Sequence, residues 1–233
     1  MSPSVYNYLR KRGLFLGRNL LKCLYMVISY GGKAYVRISH GDTTVALNPP
    51  AEVDGKKLPK AGATIGLISL RHVDFANDAA LSYGEKNPFI IAGPGEYEVG
   101  GLFIKGISTG VGYFSNKELI NTAYTLLVDG MTVCHLGGLL PETLPPKARE
   151  EIGAVDVVFV PIESGEKARA AHHLASSLMP SVIVPLDLTD GDGLKAFLKE
   201  AGEKAEPIDK LTLKKKDLEG SDDTKVVVLS SFL

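Results

Sequence analysis

Two apolar runs of strand length, VDVVFVPI (residues 155–162) and SVIVPLDL (residues 181–188), flank one helix-length stretch, GEKARAAHHLASSLM, that stops at Pro180. Strands without polar alternation are buried on both faces, and strands joined through a helix run parallel in one sheet. A further helix pattern, GLKAFLKEAG, follows the second run, and LPETLPPKAREEIG, a loop and a short helix ended by Gly153, precedes the first. This half of the chain demands helices laid on the outside of a sheet. The half before it is nearly all β. VISY, KAYVRIS and TTVALN are punctuated by Gly31-Gly32 and His40-Gly41-Asp42, which predicts three antiparallel strands. TIGLIS, PFIIA, YEV and LFIKGI continue as strands, and TAYTLLV meets TVCHL at the two-residue turn Asp129-Gly130. Hairpins followed by βαβ units predict an α/β (α+β) chain with two sheets packed face to face and helices outside.

A chain of 233 residues with 45% apolar content can bury one sizeable core, and one domain over residues 26–233 is expected. Residues 1–25 differ in kind, with five basic residues and no acid against 21 basic and 27 acidic residues in the remainder. The basic character is local, so the body carries no footprint for nucleic acid. Arg18 and Lys22 interrupt YLRKRGLFLGRNLLKCLYMVI before it reaches the roughly 20 apolar residues of a membrane span. Residues 1–25 are expected to be a poorly ordered basic extension, with Met26 an alternative start to Met1; an amphipathic segment touching a membrane surface is a second reading. Cys23 and Cys134 do not make a disulfide framework, which points to a reducing compartment, the cytoplasm.

The order of these segments, from VISYGGKAYVRISHGDTTVALNPP through LISLRHVDF, FIIAGPGEYEVGGLFIKGI, TVCHLGGL and VDVVFVPI to SVIVPLDL, resembles the metallo-β-lactamase fold in its lactonase-like branch of metal-dependent hydrolases. The resemblance runs in register over residues 26–190 and implies a four-layer αββα sandwich. It also implies a dinuclear zinc site, for which the loop after the strand reads Ser/Thr-His-x-His-x-Asp-His. Imidazole and carboxylate donors on one rigid loop then hold two ions about 3.5–4 Å apart.

The corresponding loop here reads Ser69-Leu70-Arg71-His72-Val73-Asp74-Phe75. His72 and Asp74 match the family, while Leu70 and Phe75 stand where ligands are expected. The family places a further His after the GI strand, where GISTGVGYFSN has none, and a bridging Asp where His135-Leu136-Gly137-Gly138 ends in Gly138. The last ligand, a His after the IVIPM strand, is replaced by Asp187. Of seven ligand positions, two are kept and one is exchanged for another oxygen donor. Four lost ligands imply a degenerate site, filled by Leu70 and Phe75, on a hydrolase-like chain serving as a non-catalytic binding or interaction module for a small molecule or protein.

The alternative is a hydrolase with one divalent metal, Zn, Mn or Fe, on His72, Asp74 and Asp187. His135 is expected to support a strand end, and Glu163 and Ser164 to face the same rim, with Ser164 also a candidate helix N-cap. His172 and His173 point about 100° apart on a helix and cannot chelate together; both are read as surface residues, as is His40. No Gly-x-Ser-x-Gly elbow, P-loop lysine motif or dinucleotide fingerprint is present, which leaves serine-hydrolase, NTPase and dinucleotide readings without their required parts.

Overall fold

The computed structural model describes residues 25–60, 62–85, 87–114, 117–138, 143–188, 191–220 and 223–233. The basic extension and Cys23 lie outside the described residues apart from Tyr25.

The chain opens with β1 (Met26–Tyr30), β2 (Val36–His40) and β3 (Thr43–Leu47), an antiparallel meander. A short ribbon of β4 (Glu52–Val53) and β5 (Lys56–Lys57) follows, and then β6 (Ile65–Leu67) and β7 (Phe89–Ile91), both parallel to β3. β8 (Gly95–Val99), β9 (Leu102–Phe114), β10 (Lys117–Val128) and β11 (Met131–His135) form the second meander. Asp129 and Gly130 both take positive φ, 51° and 72°, in the turn joining β10 to β11, as a two-residue turn of primed type requires.

Helix α1 (Pro146–Ile152) leads to β12 (Val157–Ile162), α2 (Ala168–Ser177) to β13 (Val182–Asp187), and α3 (Asp192–Ala201) to β14 (Leu211–Leu213) and β15 (Lys225–Val226). β11, β12 and β13 are parallel neighbours. The strands sort into a six-stranded sheet, β14-β1-β2-β3-β6-β7, and a seven-stranded sheet, β15-β13-β12-β11-β10-β9-β8. Their inner faces share one core, in which Ile28, Ile38 and Leu47 meet Tyr124, Phe159 and Val184.

β12 shows why its sequence lacks polar alternation. Val157 and Phe159 enter the intersheet core, whereas Val158, Val160 and Ile162 pack under the helices with Ala171, Leu174 and Phe197. The three helices cover this outer face. On the opposite side of the sandwich, Tyr35, Ala46 and Leu58 are covered by Ala80 and Leu81 of a 3₁₀ turn over Asp78–Leu81. The outer layer on that side is therefore thin among the described residues. The α/β sandwich expected from the sequence is the observed architecture, and no helix among the described residues is long and apolar enough to cross a membrane.

Candidate functional site

The loop after β6, the turn after β11 and the end of β13 carry the residues singled out by sequence, and the β1–β2 loop adds Lys33. Leu70 and Phe75 are each 1% exposed and form a buried cluster with Ala34, flanked by Leu119 and Leu188. Phe75 packs so closely on Gly138 that a β-carbon there would lie 2.6 Å from Phe75 Cε1. Two expected ligand positions thus occupy one another's space with apolar surface.

The two retained positions are together but engaged with protein. The Asp74 backbone N–H donates to His72 Nδ1 at 3.3 Å, and Asp74 Oδ2 lies 3.4 Å from the same nitrogen. Asp74 Oδ1 forms an ion pair with the Lys33 ammonium. Lys33 sits in the β1–β2 loop with φ of 51°, a backbone conformation that fixes where its side chain leaves the loop. The Tyr30 hydroxyl lies 3.0 Å from the Lys33 carbonyl and 3.1 Å from the Asp187 carbonyl, tying that loop to the end of β13. Burial pushes the Tyr30 phenol up, with nearby Asp187 and Asp54 adding to the effect, so the hydroxyl keeps its proton and remains a donor.

Asp187 faces other work. Its Oδ2 accepts the backbone N–H of Leu194 at 3.1 Å, in the first turn of α3. A carboxylate at a helix N-terminus satisfies an orphan donor and complements the helix dipole. Among the described residues no three His, Cys, Asp or Glu side chains gather so as to hold a metal ion, so His72 and Asp74 meet while Asp187 does not complete a donor set with them. The dinuclear centre that the resemblance implies does not fit these residues: Leu70 and Phe75 are buried apolar side chains with no donor to offer, and the Lys33 ammonium stands beside the Asp74 carboxylate.

His135 supports the strand end. The Gly137 backbone N–H can only donate, and it lies 3.0 Å from His135 Nδ1, which places the ring proton on Nε2, 3.1 Å from the Ala34 carbonyl. The 3.5 Å approach of Asn48 Nδ2 to that nitrogen is then a contact of two donors, and Asn48 Oδ1 instead accepts the Ser69 N–H at 2.7 Å. Burial holds the His135 imidazole down at about 4, against a smaller upward effect of the Ala34 carbonyl, so the ring is neutral.

Asn121 fastens the rest of the turn. Its side chain donates to Thr109 Oγ1 at 2.6 Å and to the Leu136 carbonyl at 2.9 Å, and accepts the Gly138 N–H at 3.0 Å. Gly137, with φ of 98°, leaves room for that amide: a β-carbon there would lie 2.2 Å from Asn121 Oδ1. Sequence reasoning did not single out Lys33, Asn48, Asn121 or Tyr30. Gly31-Gly32 before Lys33 was the one local hint of a special loop.

Two expectations need correction. Ser164 is not the N-cap of α2, which starts at Ala168 with Lys167 at the cap; Ser164 instead accepts the Lys167 N–H at 3.4 Å in the preceding turn. Glu163 pairs with Lys167 at 2.6 Å. His172 is half-buried against Phe197, ring centroids 5.3 Å apart, whereas His173 is exposed.

A family model described as a beta-lactamase superfamily domain matches residues 27–187. The chain belongs to this superfamily. A solved structure from Thermotoga maritima, a proposed zinc-dependent hydrolase of the metallo-β-lactamase superfamily, is 28% identical with a TM-score of 0.67, covering 88% of this chain and 98% of that one. Igni18, a metallo hydrolase from Ignicoccus hospitalis, is 18% identical with a TM-score of 0.53, covering 82% and 99%. The isothiocyanate hydrolase from Delia radicum gut bacteria is 14% identical with a TM-score of 0.52, covering 81% and 98%. The last two share the superfamily's fold with this chain. No curated protein matches it.

Proposed function

We propose that this chain is a binding module built on the metallo-β-lactamase fold, with its dinuclear metal site closed by side chains. The observation that carries the reading is the packing of Phe75 on Gly138, two positions at which the resemblance implies metal ligands. The Lys33–Asp74 pair supports it, because the tethered ammonium supplies the positive charge that a cation would bring to that carboxylate. A free, buried thiol at Cys134, pushed up to about 12 by burial, suits a cytoplasmic location. Incubation with zinc, dialysis and elemental analysis, followed by assays on lactone and phosphodiester substrates, tests the proposal: neither retained metal nor turnover is expected.

A second reading is favoured by the 28% identity to the Thermotoga maritima structure. In it a single divalent ion sits on His72, Asp74 and Asp187. That arrangement requires Asp74 to release Lys33 and Asp187 to release the first turn of α3. One retained equivalent, lost in both Asp74→Ala and Asp187→Ala, would support this second reading over the first.

A further inference from the structure

A cleft of about 290 Å³ opens beside the closed metal site, between the Ser69–Arg71 segment, the Ala92–Pro94 turn and the start of β10. The two sites adjoin at Leu119, which flanks the Phe75 cluster and also lines the cleft, while strand periodicity sends most of the neighbouring side chains to one site or the other. Along β10, Asn121 is directed to the His135–Gly138 turn, whereas Glu118, Ile120 and Thr122 line the cleft. Likewise Leu70 enters the Phe75 cluster while its neighbours Ser69 and Arg71 line the cleft.

The polar groups there are poorly provided for by the protein itself. Ser69 has its backbone N–H paired with Asn48 Oδ1 at 2.7 Å and its carbonyl with the Thr122 N–H at 3.0 Å. Its buried hydroxyl has no hydrogen-bond partner among the described residues. Buried hydroxyls are normally bonded, and an orphan calls for a partner. Arg71 and Glu118 are exposed at the cleft, and neither forms an ion pair with a described residue.

We propose that this cleft binds a small zwitterion with an aliphatic side chain, an α-amino acid of about leucine size. Arg71 presents a planar fork suited to a carboxylate, and the Ser69 hydroxyl, which lacks a partner among the described residues, supplies a further donor from the cleft wall. Glu118 takes the ammonium. A simple carboxylate would add negative charge next to Glu118, and a simple amine would add positive charge next to Arg71; the zwitterion matches both. Ile68, Pro94, Leu119 and Ile120 form an apolar wall for the side chain. The volume sits at the low end of ligand clefts, about 300 Å³, which suits one amino acid.

This assignment rests on the binding-module reading, because it names what the module binds. Calorimetric titration of the full chain with L-leucine tests it, alongside 4-methylpentanoate, which lacks the ammonium, and 3-methylbutylamine, which lacks the carboxylate. Leucine is expected to bind at least about tenfold more tightly than either, a difference well within the reach of one charged contact. Arg71→Gln and Glu118→Gln should each weaken leucine by about tenfold without a change in melting temperature, and only Arg71→Gln should weaken 4-methylpentanoate. Equal affinity for leucine and 4-methylpentanoate overturns the assignment, as does leucine binding unaffected by both variants, or no leucine binding. Zinc analysis of the same sample separates the two claims. Tightly retained zinc overturns the module reading whatever leucine does, whereas metal-free protein that ignores leucine overturns only the amino-acid assignment.

Discussion

The ring of Phe75 rests on the backbone of Gly138, close enough that any side chain at residue 138 must displace it: a β-carbon would lie 2.6 Å from Cε1 and 2.9 Å from Cδ1 and Cζ. The two positions are therefore coupled by packing. Phe75→Ala should cost about 3–5 kcal/mol, as large-to-small core changes do. Gly138→Ala should cost about 1–3 kcal/mol through overpacking. In the Phe75→Ala background the same Gly138→Ala change should cost much less, because the ring it strikes is gone. Denaturant unfolding of the four proteins in a double-mutant cycle measures this coupling, and strict additivity would show that the ring and the glycine are independent.

Lys33 and Asp74 are each about a quarter to a third exposed, so their ion pair is screened on one side. Lys33→Met should lower stability by about 1 kcal/mol or less, and high salt should shrink the difference between variant and parent. Thermal melts at low and high salt check this. Removal of the ammonium should not recruit zinc, since Leu70, Phe75 and Gly138 still offer no donors.

Much of this fold was legible because burial leaves period-two and period-3.6 traces. β1 to β3, the Asp129-Gly130 turn and the helices between β12 and β14 follow those traces closely. β9 and β10 run further than their apolar segments suggest, to Phe114 and from Lys117, because backbone pairing continues through Gly110, Val111 and Gly112. Leu70, Phe75 and Gly138 were also legible as a group, because each stands where the resemblance expects a donor. Lys33 was not. It reaches Asp74 across 41 residues of sequence, and no local pattern encodes a contact between two loops. Asn48 and Asn121 were hidden for the same reason: their partners, at Ser69 and at the Leu136–Gly138 turn, lie on other elements.

His135 gives the fold a pH dependence with a definite sign. Burial holds its folded pKa at about 4, below the 6.5 of an unperturbed imidazole, so between these values the unfolded chain carries a proton that the folded chain lacks. Stability from this residue is complete above about pH 6.5 and falls as pH drops towards about 4, by on the order of 3 kcal/mol in total. His135→Gln should be less stable at neutral pH, having lost the Gly137 contact, yet decline less steeply between pH 7 and 4. Urea unfolding of both proteins across about that pH range isolates the contribution of the imidazole.

Asp187 acts as a cap for α3 through the Leu194 N–H. Asp187→Ala should lower stability by about 1 kcal/mol, and Asp187→Asn by less, since an amide oxygen still accepts the bond while the charge on the helix dipole is lost. Chemical denaturation distinguishes the two. Equal stability of Asp187→Ala and the parent would remove the capping role and release this carboxylate for other chemistry.

The most direct measurement is metal content. Full-length protein is incubated with excess zinc, dialysed exhaustively against metal-free buffer and analysed for zinc per chain. A closed site retains a small fraction of one equivalent, because catalytic zinc ordinarily takes about three protein ligands per ion and the described residues gather no such set. Two tightly held equivalents per chain would contradict the account outright, since both ions would have to displace Phe75, Leu70 and the Lys33 ammonium from the positions in which they stand.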